Sequence, residues 1–177
     1  MSTIYQVFTL YRDLINKTKK YSNMAYPFLG LSGEWGEMLD KLDYGKLDSS
    51  EAGDVMWYIF ACLFEVENIL PVRKLFIDEF NRLTKEIDLM MVKFSENIND
   101  IQTFEKSLFR VHELVKKLLR DGDNKHKARE IVILLANMLA FLNVVYNIDI
   151  FQTAKMNRDK LLSRLDRGVI KGDGDER

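Results

Sequence analysis

Residues 51–64 read Glu-Ala-Gly-Asp-Val-Met-Trp-Tyr-Ile-Phe-Ala-Cys-Leu-Phe, and the fold turns on them. From Val55 to Phe64 this stretch is apolar on nearly every helical face. Such a helix belongs at the centre of a bundle, not on its surface. Asp48-Ser49-Ser50 supplies cap chemistry just before it. Working outward, the chain has two prolines, Pro27 and Pro71, and nine glycines. Between Asp54 and Arg167 the only glycine is Gly122. A β-protein would need far more turn residues. The class is therefore all-α.

The remaining helices follow from apolar spacing. A first is expected over about Thr3 to Tyr21, then a break at Ser22–Pro27. A second carries Leu31, Trp35, Met38 and Leu42, and closes at Tyr44-Gly45-Lys46. The central helix runs from Glu51 to about Asn68. Pro71 suits the first position of a fourth helix, which extends to about Phe94. A fifth spans Phe104 to Leu119 and stops at Asp121-Gly122-Asp123. A sixth, over Lys125 to Tyr146, is again apolar on most faces, and a seventh covers Asp149 to Arg167.

Composition bounds the function. Hydrophobic residues at 47% and charged residues at 30% describe a globular chain of 177 residues. Lys+Arg 26 against Asp+Glu 27 argues against a general nucleic-acid binder. One cysteine, Cys62, excludes a disulfide framework and a cysteine-rich zinc site. The longest apolar stretch, Ile131 to Tyr146, falls short of the ~20 residues of a membrane span. No basic segment followed by an apolar one opens the chain, so the expected location is cytoplasmic, with no membrane partner.

Two acid pairs stand out. Glu34 and Glu37 are three apart, as are Glu51 and Asp54, and such pairs share a helix face about 5–6 Å apart. A short turn at Gly45 makes their helices antiparallel neighbours, so four carboxylates can converge at one level. Glu51 and Asp54 align with Val55, Tyr58 and Cys62, the buried stripe. Buried carboxylates raise one another's pKa or recruit a cation. Hard oxygen donors without thiolate or imidazole suit Mg²⁺ or Mn²⁺. Gly33, Gly36 and Gly53 occupy helical positions where alanine would be favoured by roughly 1 kcal/mol, which suggests close approach of a backbone or a ligand. A di-iron bundle would need Glu-x-x-His pairs, and neither His112 nor His126 has Glu three residues before it.

The other end is basic. Asn157, Lys160, Arg164 and Arg167 form one polar stripe on the seventh helix, and Lys171 follows in a glycine-rich tail. Convergent Arg and Lys are what a polyphosphate requires.

Taken in order, Gly30-Leu-Ser-Gly-Glu-Trp-Gly-Glu37, Glu51-Ala-Gly-Asp-Val-Met-Trp-Tyr58 and Asn157-x-x-Lys160…Arg164…Arg167-Gly-Val-Ile-Lys171 resemble the MazG-like all-α nucleoside triphosphate pyrophosphohydrolases. The resemblance covers Tyr5 to Ile69 and about Asp149 to Arg177. It implies a helical-hairpin bundle and Mg²⁺-dependent cleavage of a nucleoside or deoxynucleoside triphosphate to the monophosphate and pyrophosphate. Glu34, Glu37, Glu51 and Asp54 would be metal ligands, with Glu34 or Glu37 acting on the attacking water. Asn157, Lys160, Arg164, Arg167, Lys171 and, in the first helix, Lys17 would hold substrate. Trp35, Tyr58 or Tyr21 would floor the base. Phosphoribosyl-ATP pyrophosphatase activity and a non-catalytic helical module are the alternative readings.

Residues 71–148 depart from the short members of that family. At an offset of 76, Phe28 falls on Phe104, Glu37 on Glu113, Lys41-Leu42 on Lys117-Leu118 and Ala52 on Ala128. Glu34, Glu51 and Asp54 fall on Arg110, Lys127 and Glu130, a set that could not hold a metal. The chain then reads as one all-α domain over 1–177. Residues 1–70 form a catalytic half, 71–148 a degenerate or inserted half, and 149–177 a basic helix and tail. It would act as a homodimer or as a self-contained pseudo-dimer.

Overall fold

The structure is a computed structural model and describes residues 3–41, 49–93 and 100–169. Among the described residues there are seven helices: α1 (Thr3–Thr18), α2 (Ala25–Asp40), α3 (Ser49–Val66), α4 (Arg73–Lys93), α5 (Asp100–Asp121), α6 (Lys125–Val144) and α7 (Ile150–Asp166). Among the described residues there is no strand, and no helix is long and apolar enough to cross a membrane. The all-α bundle expected from the sequence is therefore present. The turn expected at Tyr44-Gly45-Lys46 and the cap at Asp48 lie outside the described residues.

Local chemistry fixes several ends. Asn124 caps α6 by accepting from the backbone N–H groups of His126 and Lys127, both at 3.0 Å. Asp149 caps α7 in the same way through Phe151 and Gln152. Gly122 and Gly168 follow α5 and α7 with φ of 86° and 72°, a conformation that glycine adopts without Cβ strain. Two expected ends shift. Pro27 lies inside the first turn of α2, where a missing N–H costs no hydrogen bond. Pro71 precedes α4 by two residues, because Val72 C=O accepts the first helical bond, from Phe76 N–H at 2.8 Å.

The core is built around α3 and α6. Val55, Met56, Ile59, Phe60, Ala61, Cys62 and Leu63 are all fully buried, as the all-round apolar pattern requires. α3 packs on α1, α2, α6 and α7, and α6 packs on α3, α4 and α5. The two hairpins, α2–α3 and α5–α6, meet through α3 against α6 and α2 against α5. Their contact includes Trp35 stacked on Phe104, with centroids 3.7 Å apart and planes at 10°. Trp35 is 3% exposed, so it is core between the hairpins rather than a floor for a ligand.

The flanking helices cross over. α4 follows the first hairpin in sequence and packs on α6 of the second, while α7 follows the second and packs on α3 of the first. α1 lies beside α7 in the same sense. Thr3 and Ile4 share a cavity with Asp149 and Ile150, and Leu14 and Lys17 share another with Leu162. The crossing of α7 onto α3 brings the basic stripe to the acid hairpin.

Candidate metal centre

Glu34 and Glu37 stand one turn apart on α2, and Glu51 and Asp54 one turn apart at the start of α3. Glu34, Glu37 and Glu51 each offer a carboxylate oxygen, and these three atoms lie within 4.8 Å of one another. Among the described residues this is the one such gathering of acidic, histidine or cysteine side chains. Opposite ligands of an octahedral Mg²⁺ stand about 4.2 Å apart, twice a ~2.1 Å bond. Small side-chain rotations would therefore let all three share one ion. Hard oxygens alone also fit Mg²⁺ or Mn²⁺ by type.

Burial sharpens the electrostatics. Glu51 is 6% exposed and is met by Lys41, whose Nζ donates to Oε1 at 2.8 Å. Desolvation pushes the Glu34 carboxyl up to about 7, reinforced by the charges of Asp54, Glu37 and Glu51 and opposed by Lys160. Glu34 is thus poised between its charged and neutral forms near neutral pH.

Asp54 is held differently from the trio. Asn157 Nδ2 donates to its Oδ1 at 2.8 Å, and Lys160 Nζ donates to its Oδ2. Lys160 also donates to Ser50 Oγ at 3.3 Å. These partners come from α7, 103 and 106 residues further along the chain. Asn157 is 3% exposed, and its Oδ1 is buried without a hydrogen-bond partner. Gly53 makes this approach possible. A Cβ there would stand 3.0 Å from Asn157 Cβ, tighter than side chains normally tolerate, and Tyr11 Oη donates to the Gly53 carbonyl at 3.3 Å.

Of the three helical glycines expected to admit a neighbour, Gly53 does so. Gly33 and Gly36 have no protein atom within 4 Å of where a Cβ would sit. The close approach on α2 is at Gly30, where a Cβ would clash with the ring of Tyr58, 2.0 Å from its Cε1. Tyr58 is seated there one turn along from the acids, and its hydroxyl is pushed up by burial, by Tyr26 and by the charges of Glu34 and Asp54. Tyr21 stacks on Tyr26 with centroids 5.1 Å apart, at the edge of the same cluster.

Among the expected substrate-binding residues, Asn157 and Lys160 reach the acid site, and Arg164 is buried on the same side of α7. Arg167 follows the last turn of α7, where its Nε donates to Ser163 C=O at 3.3 Å. Lys171 lies outside the described residues. Lys17 lines a groove with Arg158, Asp159 and Leu162, on a different face of α7 from Asn157 and Lys160. Sequence reasoning did not single out Lys41 as a partner of Glu51, or Ser50 as a partner of Lys160. Lys41 follows Glu37 by four residues, a spacing that points to Glu37 and not to Glu51, so the observed pair had no local signal.

At the positions 76 residues on, the second hairpin is neutralised from within. Arg110 makes a bidentate pair with Glu130, at 2.7 and 3.1 Å, where the first hairpin has Glu34 and Asp54. Glu113 pairs with Lys116 and Lys117, which hold its carboxyl down at about 2. Lys127 bonds Asp121 at 3.2 Å. Comparison with family models, with curated proteins and with solved structures returns no match to this chain.

Proposed function

We propose that the chain is a Mg²⁺-dependent nucleoside triphosphate pyrophosphohydrolase of the MazG-like all-α type. The observation that carries this reading is a convergence of opposite charges. Three carboxylates lie within 4.8 Å of one another, and beside them Asp54 is gripped by Asn157 and Lys160 from the far end of the chain. A metal–triphosphate complex presents both signs of charge and calls for both kinds of partner.

Glu34, Glu37 and Glu51 would hold the divalent cation, with Asp54 at its margin. The ion, when bound, supplies neutralisation of phosphate charge and a lowered pKa for coordinated water. The remaining work falls to the protein's own groups. Glu34 or Glu37 would orient the attacking water or take its proton, and with Mg²⁺ bound both carboxylates would stay ionised for that role. Lys160 Nζ stands close enough to Asp54 to order it, and is a point charge for a phosphate oxygen of the departing pyrophosphate. Asn157 fixes the Asp54 carboxylate in orientation through its amide. Tyr58, wedged over Gly30, walls the site on the side of Tyr26 and Tyr21 and offers ring surface to a base.

The second hairpin, with its acids internally paired, completes the bundle in place of a second subunit. This is the pseudo-dimer reading, supported by the reciprocal packing of α4 on α6 and α7 on α3. The test is release of pyrophosphate from a panel of ribo- and deoxynucleoside triphosphates, with Mg²⁺ or with EDTA. Metal-dependent formation of monophosphate and pyrophosphate is expected. Absence of turnover on every nucleotide would make the chain a non-catalytic helical module, and turnover on phosphoribosyl-ATP alone would narrow the enzyme to that substrate.

A further inference from the structure

A groove of about 870 Å³ runs between α1, α7 and the start of α4, on a different face of α7 from the carboxylate site. Its walls bring four cations, Arg12, Lys17, Arg73 and Arg158, against two carboxylates, Asp13 and Asp159. These cations differ in how they are satisfied. Arg12 donates to Glu67 at 2.6 Å, and Arg158 donates to Asp159 at 2.8 Å.

Arg73 has no carboxylate partner among the described residues. Its guanidinium lies 4.0 Å over the ring of Tyr5, and Nη2 donates to Thr9 Oγ1 at 3.2 Å. Its Nε is buried and has no acceptor. Lys17 likewise forms no ion pair among the described residues. With Nε enclosed, Nη1 is the donor of this guanidinium that forms no hydrogen bond among the described residues and is not buried, and a guanidinium held flat on an aromatic ring presents it to a phosphate oxygen.

The cations are also ordered along the groove. Arg73 sits by Tyr5 and Thr9, Arg12 and Arg158 lie in the middle, and Lys17 lies at the far end. Thr9 to Lys17 covers about 12 Å of helix at 1.5 Å per residue. That length suits a di- or triphosphate chain with an attached group.

We propose that this groove binds a phosphate-bearing small molecule through its di- or triphosphate chain, at a second site separate from the carboxylates. The proposal does not depend on the hydrolase reading. The test is calorimetric titration of pyrophosphate, and separately of ADP, into the full chain in EDTA, where the carboxylate cluster repels both. Saturable binding is expected. Arg73→Gln and Lys17→Gln should each weaken it by at least roughly tenfold, the loss of a charge-assisted bond, while Lys160→Gln leaves it intact. Binding by ADP but not pyrophosphate would still support the site and assign part of the recognition to the nucleoside. Should circular dichroism show Arg73→Gln unfolded, the exposed Lys17→Gln decides. No saturable binding of either probe would overturn the proposal. So would loss of binding in Lys160→Gln with retention in Lys17→Gln, or equal competition by chloride.

Discussion

Replacing Glu34 by glutamine tests the electrostatics of the acid cluster without altering its shape. An unperturbed glutamate titrates near 4.5, and burial with the charges of Asp54, Glu37 and Glu51 lifts Glu34 to about 7. Between those values the unfolded chain has lost a proton that the folded chain keeps. The fold therefore loses stability as pH rises through this window, and the loss is complete above about pH 7. Glu34 is half-buried, so screening by solvent reduces the effect, which then amounts to about 1–2 kcal/mol. The substituted amide carries no charge at any pH and escapes the cost. In EDTA at about pH 8 the variant should melt roughly 2–8 °C above the wild type, and the two should converge towards about pH 4.5. Thermal unfolding followed by circular dichroism reads this directly. Added Mg²⁺ should reverse the order, because a cation that binds only the folded wild-type cluster raises its midpoint. If Glu34→Gln is no more stable than the wild type at the higher pH in EDTA, or if the difference does not shrink at lower pH, the reasoning fails.

Three further outcomes follow from the geometry. Asp54→Asn should abolish Mg²⁺-dependent pyrophosphate release while leaving the helical signal unchanged; wild-type turnover in that variant would remove Asp54 from the site. Lys160→Ala leaves Asp54 without its cation and should cost about 1–3 kcal/mol of stability; an unchanged denaturation midpoint would mean that the pair contributes nothing. Gly30→Ala drives a methyl group into the Tyr58 ring and should destabilise by about 1–3 kcal/mol. Gly33→Ala meets open space and should stabilise by about 0.5–1 kcal/mol, so chemical denaturation of the two variants should move in opposite directions.

The central helix was legible because its pattern is local. An apolar run from Val55 to Phe64 has no exposed face to offer in any globular packing, and α3 is buried accordingly. The caps at Asn124 and Asp149 are just as local, since each acts on residues two and three positions away, although helix spacing alone did not single them out. Pro71 stands two residues short of α4 because the first helical carbonyl is chosen by the packing of Val72 and Phe76, both fully buried, and not by the proline. Trp35 stands in the apolar stripe of α2, which favoured core over a ligand floor. Its partner, Phe104, lies on another hairpin, and no helical spacing could announce that stack.

The acid site divides along the same line. The sequence alone determined the all-α class and the two acid pairs, because i,i+3 spacing on a helix is a property of backbone geometry over a single turn. Tertiary structure decided which acids share a cluster. It gathered Glu34, Glu37 and Glu51, turned Asp54 towards Asn157 and Lys160, and set Lys17 on another face. Those outcomes depend on where α7 crosses α3, and the crossing is set by the missing Cβ of Gly53 and by core contacts between residues about a hundred positions apart. Short-range helical geometry carries no information about such a crossing. It can propose the chemical groups, but only packing assembles them into a site.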